Sequence, residues 1–264
     1  MNAQTKPTVA VHKFSSCDGC QLAFLNLGEA LLELAQLVDI RHFVEAGVVD
    51  PETKVDVAFI EGSISTPGEV ERIRKIRDNS RFLIAIGACA CAGGLQALRN
   101  LDSSSREWRR AVYARPEYID SLDTSTSVPD HVRVDLELWG CPVTSRQVLA
   151  ATRSLLFGVS PLQDRDKVCL ECKRQGNVCL LVSRGEPCMG PVTRTGCGAL
   201  CPAFGRDCYG CFGPTEADNG TALARRLQGL GLSPDRVAQR FLFINSHAPQ
   251  NRELGLRWRR GDGC

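Results

Sequence analysis

Cysteine is the residue type that dominates the chemistry open to this chain: 264 residues carry fourteen. Cys17 and Cys20 form a Cys-x-x-Cys, Cys89 stands in Gly-Ala-Cys-Ala and Cys141 in Gly-Cys-Pro. A second group follows, Cys169, Cys172, Cys179, Cys188, Cys197, Cys201, Cys208 and Cys211, opening and closing on Cys-x-x-Cys. Eight is twice four, so two tetrathiolate sites would use every member of it. Four thiolates suit an iron–sulfur cubane or a structural zinc ion, because both accept tetrahedral sulfur ligation.

Gly19, Gly87, Gly93, Gly94 and Gly140 surround the first group and would let backbone amides approach cluster sulfurs, which favours the cubane there. A thioredoxin-like pair is the other reading of Cys17 and Cys20, and Cys89 and Cys141 argue against it. In the second group, sequential use of 169–188 and then 197–211 competes with the interleaving of two-cluster ferredoxins, and composition does not choose. Zinc ribbons are the plain alternative for these eight, although zinc would leave the first group without an electron partner. Cys91 reads as a small buried hydrophobe, and Cys264 is unassigned.

These groups need elements to position them. Residues 1–158 alternate β-branched runs with amphipathic ones, the pattern of a flavodoxin-like α/β domain with a parallel sheet. Strands are expected at 8–14, 38–43, 55–60, 82–86 and 132–138, and helices at 22–37, 67–78, 92–99, 107–113 and 144–157. Cys17 and Cys20 follow the first strand, Cys89 the fourth and Cys141 the fifth, so all would meet over the carboxyl edge of the sheet. Residues 159–264 read as a small cysteine-rich iron–sulfur domain, stabilised by bound metal, with a tail of two helices at 216–230 and 234–239 before a basic end.

A net charge of +2 gives no electrostatic grip on nucleic acid, and 43% hydrophobic residues exclude disorder. No run reaches a membrane span and no secretory signal opens the chain, so a cytoplasmic protein is expected, where thiols serve metals rather than disulfides. Gly93-Gly94 and Gly229-Leu-Gly231 are turns rather than phosphate loops. His12, His42, His131 and His247 stand apart in sequence and read as packing groups.

Cys17-Asp-Gly-Cys20, Gly-Ala-Cys89-Ala with Gly93-Gly94, and Gly140-Cys141-Pro142 together resemble the small subunits of [NiFe] hydrogenases. Glu61-Gly62-Ser63-Ile64 is similar to the segment those subunits place near their proximal cluster, and Cys188-Met-Gly-Pro-Val-Thr-Arg-Thr-Gly-Cys197 to their distal-to-medial junction. The resemblance covers most of 8–215. It implies three [4Fe–4S] clusters: proximal on Cys17, Cys20, Cys89 and Cys141, distal on Cys169, Cys172, Cys179 and Cys188, medial on Cys197, Cys201, Cys208 and Cys211. Cys169 stands where periplasmic members have histidine, Cys201 where many have proline, and Leu22 where those members usually have glutamate.

This pattern most resembles the δ subunit of cytoplasmic NAD(P)-linked sulfhydrogenases. The resemblance implies a separate [NiFe] large subunit, an iron–sulfur subunit and a flavin NAD(P)-binding subunit as partners, with no nickel site here. Small subunits of F420-linked or heterodisulfide-reductase-linked hydrogenases are the alternative within electron transfer. A zinc-stabilised scaffold is the alternative outside it.

Overall fold

The structure, a computed structural model, describes residues 6–101, 105–159, 161, 166–216 and 219–262. Cys264 lies outside them. Strands β1 (Thr8–Lys13), β2 (Asp39–Phe43), β3 (Val55–Glu61), β4 (Ser80–Ile86) and β5 (Leu136–Leu138) pair in parallel in the order β2-β1-β3-β4-β5, the flavodoxin-like order. Successive side chains point to opposite faces, so near-continuous apolar runs bury both. Val9, Val11, Val57, Phe59, Ile84 and Ile86 pack on one face, and Ala10, Ala58, Ile60, Leu83 and Ala85 on the other.

Helices α1 (Gly19–Leu25), α2 (Glu29–Leu37), α3 (Pro67–Asp78), α4 (Gly87–Ala92), α5 (Ser105–Val112) and α6 (Ser145–Leu156) accompany the sheet. Capping boxes start the two longest: Thr66 with Glu69 before α3, and Thr144 with Gln147 before α6. Beyond them lie α7 (Val168–Arg174), α8 (Leu180–Ser183), α9 (Leu200–Ala203), α10 (Gly220–Gly229), α11 (Pro234–Phe241) and α12 (Pro249–Arg259). These share a third core in which Val168, Met189 and Val192 from the cysteine-rich segment meet Leu223, Leu227, Val237, Phe241 and Trp258.

Four expectations are corrected. The helix expected at 22–37 is two helices, because Gly28 adopts φ +58 between them, and Leu32 and Leu37 are exposed. The strand expected at 132–138 pairs only over Leu136–Leu138, because Ser127 and Asp130 cap a 3-10 turn upstream and Val132 and Val134 pack beneath the sheet instead. In place of one helix at 92–99, Gly93 and Gly94, both at positive φ, end α4 and start a 3-10 turn at Gly94–Asn100. The basic end carries a third tail helix, α12, signalled by Pro249 at its first turn and by Leu254 and Trp258 one turn apart, both buried.

His12 on β1 and His42 on β2 stack at 4.5 Å between ring centroids. Burial, then the neighbouring His42 and Arg72, lower His12 to about 3. The unfolded chain therefore takes up a proton below about pH 6.5 that the folded chain refuses until near pH 3, so stability falls as pH drops through that window. Between pH 7.5 and 5.5 His12 is expected to cost roughly 1 kcal/mol, and His12→Leu to remove that part of the slope. Denaturation midpoints of both proteins at the two pH values check it.

Candidate iron–sulfur site

Strand register brings the first four cysteines to one edge. Lys13 pairs with Glu61, Glu61 with Ile86 and Ile86 with Leu138, so β1, β3, β4 and β5 end level. Cys17 and Cys20 leave from β1 into α1, Cys89 sits in α4 after β4, and Cys141 follows β5. The Ala88 amide donates to the Gly140 carbonyl at 2.7 Å, tying the last two loops together. Gln96 ties the first to the second: its Nε2 donates to the Ser15 carbonyl at 3.0 Å, and the Cys89 thiol donates to its Oε1 at 3.3 Å.

Glycine is required where these loops crowd the sulfurs. At Gly87, φ +83, a Cβ would stand 2.4 Å from Cys20 Sγ, and at Gly94, φ +60, 2.5 Å from Cys89 Sγ. Glu61 is buried at the end of β3 and accepts the Cys20 amide at 2.9 Å. Burial raises the Cys20 thiol, with Glu61, Cys89 and Cys141 adding to the rise. Burial likewise pushes Cys89 up to about 12, with Cys141 and Cys17 contributing. Each thiolate of this set penalises its neighbours, the electrostatics that a multivalent cationic centre reverses when it binds them.

Cys169, Cys172, Cys179 and Cys188 line one pocket together with Gly190, Pro191 and Pro202. A Cβ at Gly190 would stand 3.4 Å from Cys169 Sγ and 3.5 Å from Cys188 Sγ. Burial lifts Cys169 to about 11, with Cys188, Cys179 and Cys172 raising it further. Among the described residues no group of three or more Cys, His, Asp and Glu side chains is gathered tightly enough to hold a single metal ion.

Cys211 is coupled to the remaining set. Burial raises it to about 12, followed by Cys197, Cys141 and Cys201, while the backbone amide of Cys141 faces its sulfur. On the other side, the Cys208 amide donates to Cys188 Sγ at 3.3 Å. The three sets thus follow one another in space, 17/20/89/141 touching 197/201/208/211 through Cys141 and Cys211, and that set touching 169/172/179/188 through Cys208 and Cys188. Cys91 is buried in the core behind the first set, its thiol facing the carbonyls of Ala85 and Leu138.

Glu171 joins the site without any mark in the sequence. It lies in α7 between Cys169 and Cys172, and its two oxygens accept the amides of Gly196, at 3.1 Å, and Ala199, at 3.3 Å. It therefore fastens the loop bearing Cys197 to the helix bearing Cys169 and Cys172. The Cys-x-Glu-Cys spacing is legible, but its partner amides lie some two dozen residues away and leave no local trace.

The sequence signature of the NADH ubiquinone oxidoreductase 20 kDa subunit matches residues 17–155, from the first cysteine to the end of α6. The chain belongs to that family, among its members that are small subunits of [NiFe] hydrogenases. Sulfhydrogenase 2 subunit delta of Pyrococcus furiosus is 36% identical over 211 residues, spanning 80% of this chain and 88% of the relative. A subunit of the F420-non-reducing hydrogenase vhu of Methanocaldococcus jannaschii is 32% identical, spanning 93% of this chain and 97% of the relative. A solved NAD+-reducing [NiFe]-hydrogenase in the H2-reduced state contains a chain that superposes with a TM-score of 0.54 at 29% identity, over 60% of this chain and 95% of that one. No helix among the described residues is long and apolar enough to cross a membrane.

Proposed function

We propose that this chain relays electrons through three [4Fe–4S] clusters between a nickel–iron large subunit and an iron–sulfur and flavin module that reduces NAD(P)+, in the cytoplasm. Residues 1–158 would form the proximal-cluster domain and 159–264 the domain of the medial and distal clusters. The observation that carries the reading is the spatial order of the three cysteine sets, which meet through Cys141 with Cys211 and Cys208 with Cys188. When bound, such clusters supply one-electron carriers whose potential responds to amide hydrogen bonds and burial.

This chain's own residues do the holding and tuning. Cys17, Cys20, Cys89 and Cys141 would ligate the proximal cluster, Cys197, Cys201, Cys208 and Cys211 the medial, and Cys169, Cys172, Cys179 and Cys188 the distal. The donor set fits: all twelve are sulfur, and glycines stand where a side chain would fill the cradle. The Gly210 amide donates to Cys208 Sγ at 3.4 Å, a bond that a thiolate there would strengthen.

A second reading is the small subunit of an F420-linked or heterodisulfide-reductase-linked hydrogenase, and within it the relative that spans 93% of the chain, an F420-non-reducing hydrogenase subunit, favours an acceptor other than F420. The acceptor separates the two readings and the wire is common to both. H2-dependent reduction of methyl viologen to its blue radical, by the complex purified through this chain, tests the relay. Cys201→Pro tests the medial assignment within it. Cys201 is the second residue of α9, where a helix amide has no carbonyl partner within the helix, so the fold is expected to persist while the medial cluster loses one iron and its potential rises. A new three-iron signal in the oxidised EPR spectrum is the expected result, and an unchanged spectrum refutes the assignment.

A further inference from the structure

The tail helix α11 brings one cation to the junction between two cysteine sets. Val237, Ala238 and Phe241 bury a face of α11 in the third core, and Arg240, beside that face, has a side chain only 19% exposed. Its Nε donates to the Pro187 carbonyl at 3.0 Å, and its Nη2 donates to the same carbonyl and pairs with the Asp207 carboxylate. The guanidinium lies 5.5 Å from the centre of the Tyr209 ring. Pro187 immediately precedes Cys188, and Asp207 immediately precedes Cys208. One side chain, 53 residues along the chain from Pro187, thus holds the residue before a cysteine in each of two sets.

The two held segments are also laced together by their backbone. The Met189 amide donates to the Cys208 carbonyl at 3.0 Å, and the Cys208 amide to Cys188 Sγ at 3.3 Å. Burial lowers Arg240, and the Cys188 sulfur opposes the fall, so cation and sulfur feel one another. Charges so far from water are weakly screened. Stability alone does not call for the pair, because well-packed apolar groups of its volume commonly serve a fold as well or better. A cation beside a cluster ligand favours the reduced cluster, which carries one more negative charge, and a carboxylate favours the oxidised one.

We propose that the Arg240–Asp207 ion pair sets the step in potential between the two clusters that meet at Cys208 and Cys188, the cation raising the distal potential and the carboxylate lowering the medial one. The inference rests on the relay reading above and gives the tail helix a part in it. The step tilts electron flow outward, in the direction of H2 oxidation. Both residues act through the neighbouring ligands by their charge, and no bond to either forms or breaks.

The test is an anaerobic redox titration of the intact complex followed by EPR, with iron and sulfide counted in each preparation. Arg240→Gln is expected to weaken the reduction equilibrium of the distal cluster about tenfold, a negative shift of about 59 mV for a one-electron couple. Asp207→Asn is expected to shift the medial midpoint positive by a similar amount, and Arg240→Lys to keep the distal midpoint near that of wild type. Arg236→Gln, at an exposed position of the same helix, should move neither. Opposite shifts from two touching residues are the mark of charge, whereas loosened packing would move both variants one way. An unmoved distal midpoint in Arg240→Gln with its full iron overturns the proposal. Should Arg240→Gln lose iron, Asp207→Asn decides: a raised medial midpoint supports the pair, and an unmoved or lowered one overturns it. Loss of iron from both variants also overturns it, since the pair would then be a staple. A wild-type complex without iron removes the relay reading itself, and this inference with it.

Discussion

Cys141→Ala is expected to lower H2-driven acceptor reduction by about a hundredfold or more, since loss of even an outer partner of a metal site commonly costs 10–100-fold. Cys141 is the joint between two sites. Its side chain completes the set at the carboxyl edge of the sheet, and its amide faces Cys211 in the next set. Alanine keeps the amide and removes the sulfur, so the proximal cluster should be lost or degraded while the signals of the other two persist. Anaerobic assay of H2-dependent viologen reduction, with EPR of the reduced complex, measures both. Cys91→Ala is the control, because that thiol is buried in the core and faces the carbonyls of Ala85 and Leu138. Wild-type activity in Cys141→Ala would undo the assignment of the proximal ligands.

Gly213→Ala is expected to destabilise the chain by roughly 2–6 kcal/mol, combining an unfavourable left-handed backbone with overpacking. Gly213 has φ +77, and a Cβ there would lie 2.1 Å from Cε3 of Trp139. The indole has little room to yield. Its Nε1 donates to Glu137 at 2.9 Å, the Trp139 carbonyl accepts from Gln147 at 3.0 Å, and Arg194 lies over the ring at 5.2 Å. Gly213 in turn holds Arg194, whose amide donates to the Gly213 carbonyl at 3.0 Å. The contact joins β5, which leads to Cys141, to the loop that follows Cys211. The change in free energy is comparable with much of the stability of a domain this size, so the denaturant midpoint should fall sharply. Gly229→Ala, at the end of α10 with open space around it, should leave the midpoint nearly unmoved. Equal midpoints for the two variants would mean that the Trp139 contact does not hold the halves together.

The parallel sheet and its sulfur-bearing edge are legible in the sequence because both depend on local signals. Apolar runs such as 55–60 and 82–86 mark strands buried on two faces, and cysteines directly after them must lie at the carboxyl edge. Element ends are less legible. Gly28 reads in the sequence as one residue within a leucine-rich stretch, and only its positive φ shows that the helix stops there. Val132 and Val134 have the side chains of a strand, yet the Ser127–Asp130 turn spends that length on a cap.

Contacts distant in sequence leave no trace at all. Glu171 looks like one of many surface acids until its oxygens are seen on the amides of Gly196 and Ala199, and Gln96 looks like a helix residue until it bridges Cys89 to Ser15. The sequential use of the last eight cysteines is open on spacing alone and comes from the family resemblance. In the fold, Cys169, Cys172, Cys179 and Cys188 line one pocket.

The most direct test of the three-cluster relay is an anaerobic count of iron, acid-labile sulfide and zinc per chain in the complex purified through this subunit, with nickel measured in the chains that accompany it. About twelve irons and about twelve sulfides on this chain, beside nickel on a partner, is the result the relay requires. Zinc in place of iron, with no nickel-bearing partner, would make the cysteines structural staples and contradict it.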